Sequence, residues 1–93
     1  MDMQNESIMA YRALLAEIAR KKMIVGAKQL RKALRSGAAE HVYLADNADP
    51  AITGPLMTQC EQANIPCTWV RSMSDLGHAC GIEVGAAAAA CVK

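Results

Sequence analysis

Ninety-three residues, 53% hydrophobic and 20% charged, suffice for one domain with one modest core and exclude a disordered chain. The formal net charge of +1 points to no partner by itself, and the longest apolar run, Val84 to Val92 with Gly85 inside it, is too short to cross a bilayer. Asp2 and Glu6 precede any hydrophobic stretch, which reads against a secretory leader and makes the cytoplasm the expected compartment.

Residues 1–5 are expected to fray. Ile8, Tyr11, Leu14, Leu15 and Ile18 then recur at three- and four-residue steps and predict an amphipathic helix. Met23-Ile24-Val25, stopped by Gly26, reads as a short buried strand. A second helix is predicted from Ala27 to Ser36 and closed by Gly37. His41 to Ala45 is the next strand. Asp49 is placed to cap a third helix that starts at Pro50, runs to about Ala63 and stops at Asn64. Pro66 to Val70 is a third strand, and Ser72 or Ser74 opens a short helix ending near Cys80-Gly81. The alanine-rich stretch from Val84 to Val92 is a conflict. Alanine favours helix, while Gly85, the flanking valines and the need to complete a sheet favour strand; strand is the reading adopted. Such alternation predicts a parallel or mostly parallel sheet covered on both faces, with small side chains on a central strand that let helices pack close. Alanine supplies 18 positions, Phe is absent, and Trp69, Tyr11 and Tyr43 are the only aromatics.

Cys60, Cys67, Cys80 and Cys91 form no C-x-x-C pair, and His41 and His78 are not spaced as their partners. Reduced structural thiols are expected, with no metal and no cofactor.

The charges are more informative. Seven of the ten Lys and Arg lie between residues 20 and 35, a stretch without an acid, whereas six acids beyond Ser36 face only Arg71 and Lys93. Within that stretch Lys28, Arg31, Lys32 and Arg35 fall at i, i+3, i+4 and i+7 and share one helix face, opposite Leu30, Ala33 and Leu34. Gly26 permits close backbone approach to the helix start, whose free N–H groups and partial positive charge attract phosphates or base acceptors, and Lys28 and Gln29 add long donors. Neither a P-loop nor a dinucleotide fingerprint is present. A helix end can read guanine edges in RNA only where the duplex is opened or bent, because the A-form major groove is deep and narrow. With few aromatics for stacking, a structured, kinked RNA is a better fit than a single strand.

Three blocks carry a resemblance that covers about residues 8–93: Gly26-Ala27-Lys28-Gln29-Leu30-Arg31-Lys32; Ala45-Asp46-Asn47-Ala48-Asp49-Pro50; and Val70-Arg71-Ser72-Met73 followed by Leu76-Gly77-His78-Ala79-Cys80-Gly81. In order and spacing they resemble the kink-turn RNA-binding ribosomal protein family of the archaeal L-seven-Ae type. Lys28-Gln29, where archaeal and eukaryotic members typically have Asn-Glu, looks like the bacterial branch. The resemblance implies an α/β fold, a three-layer α-β-α sandwich with a four-stranded mixed sheet. It implies a non-catalytic, monomeric protein that binds kink-turns, tandem G·A pairs next to a bulge, in ribosomal RNA or an mRNA leader, and that stays off membranes. Carried over by position, Lys28, Gln29 and Lys32 would contact the guanines and nearby backbone, with Arg31 and Arg35 continuing the cationic stripe. Gly26 and Ala27 would allow the approach. Val70, Arg71 and Ser72 would form a second loop over the bulge, with Asp49 beside it. Met73 stands where many members have Lys.

Plainer readings accompany these. Asp49 serves equally as a helix cap. Leu76-Gly77 and Gly81 are read as structural, Trp69 as a core residue, His78 as surface or half-buried, and Arg71 as an exposed loop residue. The competing functions are a small thiol- or metal-dependent enzyme using Cys60, Cys67, Cys80 and His78, and the detached recognition domain of an RNA-modifying enzyme.

Overall fold

The computed structural model describes the backbone from Met3 and the side chains from Ile8 to Lys93. Its elements are α1 (Met3–Arg20), β1 (Met23–Val25), α2 (Ala27–Ser36), β2 (Ala39–Ala45), α3 (Pro50–Ala63), β3 (Cys67–Val70), α4 (Met73–Ala79) and β4 (Ala88–Val92). The first helix begins inside the stretch expected to fray: residues 3–5 are helical, and residues 1 and 2 lie outside the described residues.

The strands form one sheet in the order β1-β4-β2-β3. Along β2, Val42 and Leu44 face α2 and α3, where they meet Leu30, Leu34, Leu56 and Cys60. Tyr43 and Ala45 face α1 and α4, where they meet Ile18, Leu76 and Ala79. β4 alternates likewise, Ala88 and Ala90 to one side and Ala89 and Cys91 to the other, all buried. This is the three-layer sandwich with a mixed sheet that the resemblance implies. Burying a side chain such as Leu30 or Leu56 contributes about 2 kcal/mol. The alanines of β4 are in a strand despite their helix propensity of a few tenths of a kcal/mol per residue. β4 is hydrogen-bonded on both sides, and only small side chains let helices close on it from both faces.

Two expectations from the element pattern are corrected. The sheet is not mostly parallel: β2 and β3 are parallel, but β4 is antiparallel to both β1 and β2. Nor is Val84 to Ala87 strand. Both differences have one cause, the connection after α4. It retraces the helix backwards, with the Ile82 N–H donating to the Gly77 carbonyl (3.0 Å) and the Ala86 N–H to the Met73 carbonyl (3.0 Å). The chain therefore returns to the end of the sheet from which α4 left, and β4 must enter in the opposite direction.

Trp69 is also corrected. It is 43% exposed, although its register partner Leu44 is fully buried. β3 is the last strand of the sheet, so no strand covers its far side.

Candidate nucleic-acid interface

The register brings the three blocks together. Val25, Ala89 and Tyr43 lie in one row across the sheet, and Ala45 pairs with Val70. The chain thus leaves β1, β2 and β3 at the same end, and α2, α3 and α4 all begin there. Hydrogen bonds knit these starts: Gly26 N–H to the Ala88 carbonyl (2.9 Å), Ala45 N–H to the Ala87 carbonyl (2.9 Å), and Asp46 N–H to the Val70 carbonyl (2.7 Å). With strands spaced by about 4.8 Å, the start of α2 and the loop after β3 stand roughly 14 Å apart across the sheet end.

The three helix starts differ in a way that matters. α3 is capped by Asp49, whose carboxylate accepts from the Ala51 N–H (2.9 Å), and α4 by Ser72, whose hydroxyl accepts from the Asp75 N–H (3.0 Å). α2 has no side-chain cap and no acid in its first turn; it has Lys28 there instead. The N–H groups of Ala27, Lys28 and Gln29 thus have no helical acceptor, and a lysine beside them is unfavourable to the helix dipole. Gly26, at φ 101° and ψ 150°, occupies a region reserved almost entirely for glycine. Nothing lies within 4 Å of where its Cβ would stand, so the approach to the open helix start is clear. Leu30, Ala33 and Leu34 are buried beneath, while Lys28, Gln29, Arg31, Lys32 and Arg35 are exposed. Among the described residues the ion pair found is Lys21 with Glu17 (3.4 Å), so none of these cations is neutralised by a carboxylate. Arg35 lies about 10 Å along the axis from Lys28.

The second loop is more constrained than an exposed loop would be. Val70 is fully buried and anchors the loop, while Arg71 is exposed and Ser72 half-buried. The Arg71 guanidinium lies over the Tyr11 ring, 4.3 Å from its centroid, and the Arg71 N–H donates to the Tyr11 hydroxyl (3.1 Å). Asn47 is the other fastener, its side-chain oxygen accepting from the Met73 N–H (2.8 Å). Neither Tyr11 nor Asn47 is singled out by the sequence reading. Tyr11 falls in the apolar spacing of α1 and reads as core; a polar-tipped aromatic at the rim of an amphipathic stripe is the available signal. Asn47 lies inside a quoted block but has no assigned role.

Asp49 is a cap and sits exposed at this same end of the sheet. Asp49→Ala should therefore lower stability by about 1 kcal/mol in urea denaturation, whereas Asp49→Asn, an equally good cap, should leave it nearly unchanged. Equal losses in both variants would refute the capping role.

The thiols and imidazoles assemble no second site. Cys60 and Cys91 are buried, Cys67 and Cys80 half-buried, and all four are free. Burial pushes the Cys67 thiol, which lies against Cys60, up to about 12, far from a nucleophilic thiolate at neutral pH. His41 is hydrogen-bonded to the Thr68 hydroxyl (2.7 Å) and stacked on Tyr43, and His78 is exposed on α4. Among the described residues no group of three or more His, Cys, Asp or Glu is placed to hold a metal ion.

Residues 9–93 match the profile of the Ribosomal protein L7Ae/L30e/S12e/Gadd45 family. A Geobacillus sp. (strain WCH70) protein named as an RNA-binding protein is 47% identical over 72 residues, 77% of this chain and 88% of that one. The RNA-binding protein YbxF of Geobacillus stearothermophilus is 43% identical over the same shares. Among solved structures, the Giardia lamblia 15.5kD RNA binding protein superposes with a TM-score of 0.76 at 27% identity, covering 100% of this chain and 78% of that one. A Bacillus halodurans protein of unknown function gives the same TM-score at 25% identity, covering 89% and 84%.

Proposed function

The chain belongs to the Ribosomal protein L7Ae/L30e/S12e/Gadd45 family, and from that premise we propose that it is a non-catalytic protein that binds RNA kink-turns and holds them kinked. The relatives named as RNA-binding proteins support the RNA partner. The observation that carries the reading is the open start of α2. It is the one helix start at this end of the sheet without a side-chain cap, and it puts a lysine where helix stability asks for an acid. Such an arrangement costs stability and makes sense when an external acceptor completes it.

A kink supplies that acceptor. It opens the groove, so guanine O6 and N7 become reachable by Lys28, Gln29 and the N–H groups at the helix start. Bending also brings two phosphate strands together, and the stripe of Arg31, Lys32 and Arg35 offsets their repulsion. The loop at Val70 to Ser72, about 14 Å across the sheet end, is spaced to meet the bulged side with Arg71. The protein acts as a monomer in the cytoplasm. Because it binds the kinked form preferentially, it shifts the RNA population by its differential affinity for the two forms.

The test uses an RNA labelled at both ends and followed by fluorescence transfer at low magnesium, where the free RNA is mostly extended. Saturating protein should fold the kink-turn RNA and leave extended a control whose G·A pairs are replaced by Watson–Crick pairs. Binding that leaves the kink-turn RNA extended, or folds both RNAs alike, would refute the proposal.

A further inference from the structure

We propose that Tyr11 is a positioning residue for RNA binding: it presents Arg71, and the loop that carries it, in the arrangement that meets the RNA. The inference rests on the RNA-binding reading above and assigns a role to α1, which that reading does not use.

The geometry is a closed circuit. The Tyr11 hydroxyl accepts from the Arg71 N–H (3.1 Å) and donates to the Asp75 carboxylate (2.7 Å), while the Asp75 N–H donates to the Ser72 hydroxyl (3.0 Å). One phenol oxygen thus ties the exposed Arg71 of the loop to Asp75 in the first turn of α4, from an element 60 residues away from Arg71 in sequence. Burial and the bond to Asp75 push the phenol above its ordinary value, so it stays protonated and keeps donating. The ring does a second job. With the guanidinium carbon 4.3 Å from its centroid, the ring holds the Arg71 cation by a contact to its π face, and among the described residues no carboxylate pairs with the guanidinium N–H donors. Asp75, which lines the same cleft as Arg71, has an oxygen engaged by Tyr11, and Arg71 makes no ion pair among the described residues. An unrestrained arginine loses rotamer freedom when it grips a phosphate; one already held over a ring loses less. Beside it opens a cleft of about 340 Å3, lined by Ile8, Tyr11, Arg12, Leu15, Arg71 and Asp75.

A purely structural Tyr11, fastening α1 to α4, would affect binding regardless of what residue 71 is. A double-mutant cycle separates the two roles. Dissociation of the kink-turn RNA is measured for the unsubstituted protein, Tyr11→Phe, Arg71→Ala and the double variant, and amide exchange at residue 71 is measured in the free proteins. Tyr11→Phe keeps the ring and removes both hydrogen bonds. It should speed dissociation about five- to tenfold, by less than about twofold when Arg71 is already Ala, and it should speed exchange of the Arg71 amide. Equal effects in both backgrounds would overturn the proposal, as would unchanged dissociation with unchanged amide exchange. Failure of the functional reading shows separately, in the unsubstituted protein. If that protein binds RNA without preferring the kink-turn, the same cycle on that RNA still decides the role of Tyr11; if it binds none, both readings fall.

Discussion

Replacing Lys28 and Lys32 together by Ala is expected to weaken binding to a kink-turn RNA about a hundredfold and to flatten the slope of log affinity against log salt by roughly one, the phosphate contact of Lys32. The two residues act differently. Lys28 stands in the uncapped first turn of α2, where its ammonium and the free N–H groups converge on the same acceptors. Lys32 is one turn further along the exposed face, where a strand of phosphates would pass. Lys28→Ala alone should therefore reduce discrimination between the kink-turn and its Watson–Crick control, while Lys32→Ala should weaken both RNAs alike. Fold damage is not a competing explanation. Both side chains are exposed, neither is ion-paired among the described residues, and removing a cation from the first turn relieves the helix dipole, so thermal stability should hold or rise slightly. Unchanged affinity and slope in the double variant would mean that α2 does not face the RNA.

The legibility of this half of the candidate interface follows from where its information is stored. Charge, amphipathic period and the glycine stop of α2 all lie within a dozen consecutive residues, and a local pattern is what a sequence displays. The other half is different. Arg71 can be read as exposed, and it is, but what holds it is a tyrosine 60 residues earlier whose spacing also suits a core position. Trp69 shows the same limit from the other side. Its apolar strand context is legible, yet its exposure depends on β3 being the last strand, and strand order is a property of the whole topology. The direction of β4 is hidden for a related reason. An alternation of strands and helices is the same whether the connection after α4 crosses the sheet or doubles back along the helix, and the contacts that make it double back involve single backbone atoms. Even the alanine run reads correctly only from Ala88 onward, because the two-sided pairing that favours strand begins where the docking on α4 ends.

That docking is the most sensitive point of the fold, and Gly77→Ala is expected to lower stability by about 3 kcal/mol. Gly77 is buried in α4, and a Cβ there would overlap the Val84 carbonyl oxygen and press on Gly85. Both clashes are with backbone, so no side chain can swing aside, and the helix itself is fixed by Leu76, fully buried, and by the Ser72 cap. The returning segment must move instead. Its movement would pull on the Ala86 N–H bond to Met73, on the Ala87 carbonyl that accepts from Ala45, and on the Ala88 carbonyl that accepts from Gly26. A single methyl group would thus reach the turn that opens α2. For a domain whose total stability is about 5–10 kcal/mol, such a loss should lower the melting temperature by roughly 10–20 °C, and any protein that remains folded should bind the kink-turn RNA less tightly. Gly54→Ala is the control. It lies in the exposed face of α3 with nothing beyond its chain neighbours within 4 Å of the added carbon; the gain from a better helix former is opposed by Pro55, which disfavours helix for a preceding residue with a Cβ, so stability should stay within about 1 kcal/mol of its starting value. Urea midpoints at unchanged m-value measure both. A loss below about 1 kcal/mol for Gly77→Ala would show that residues 84–86 yield to the methyl at little cost, and that the return path along α4 is not what fixes the position of β4.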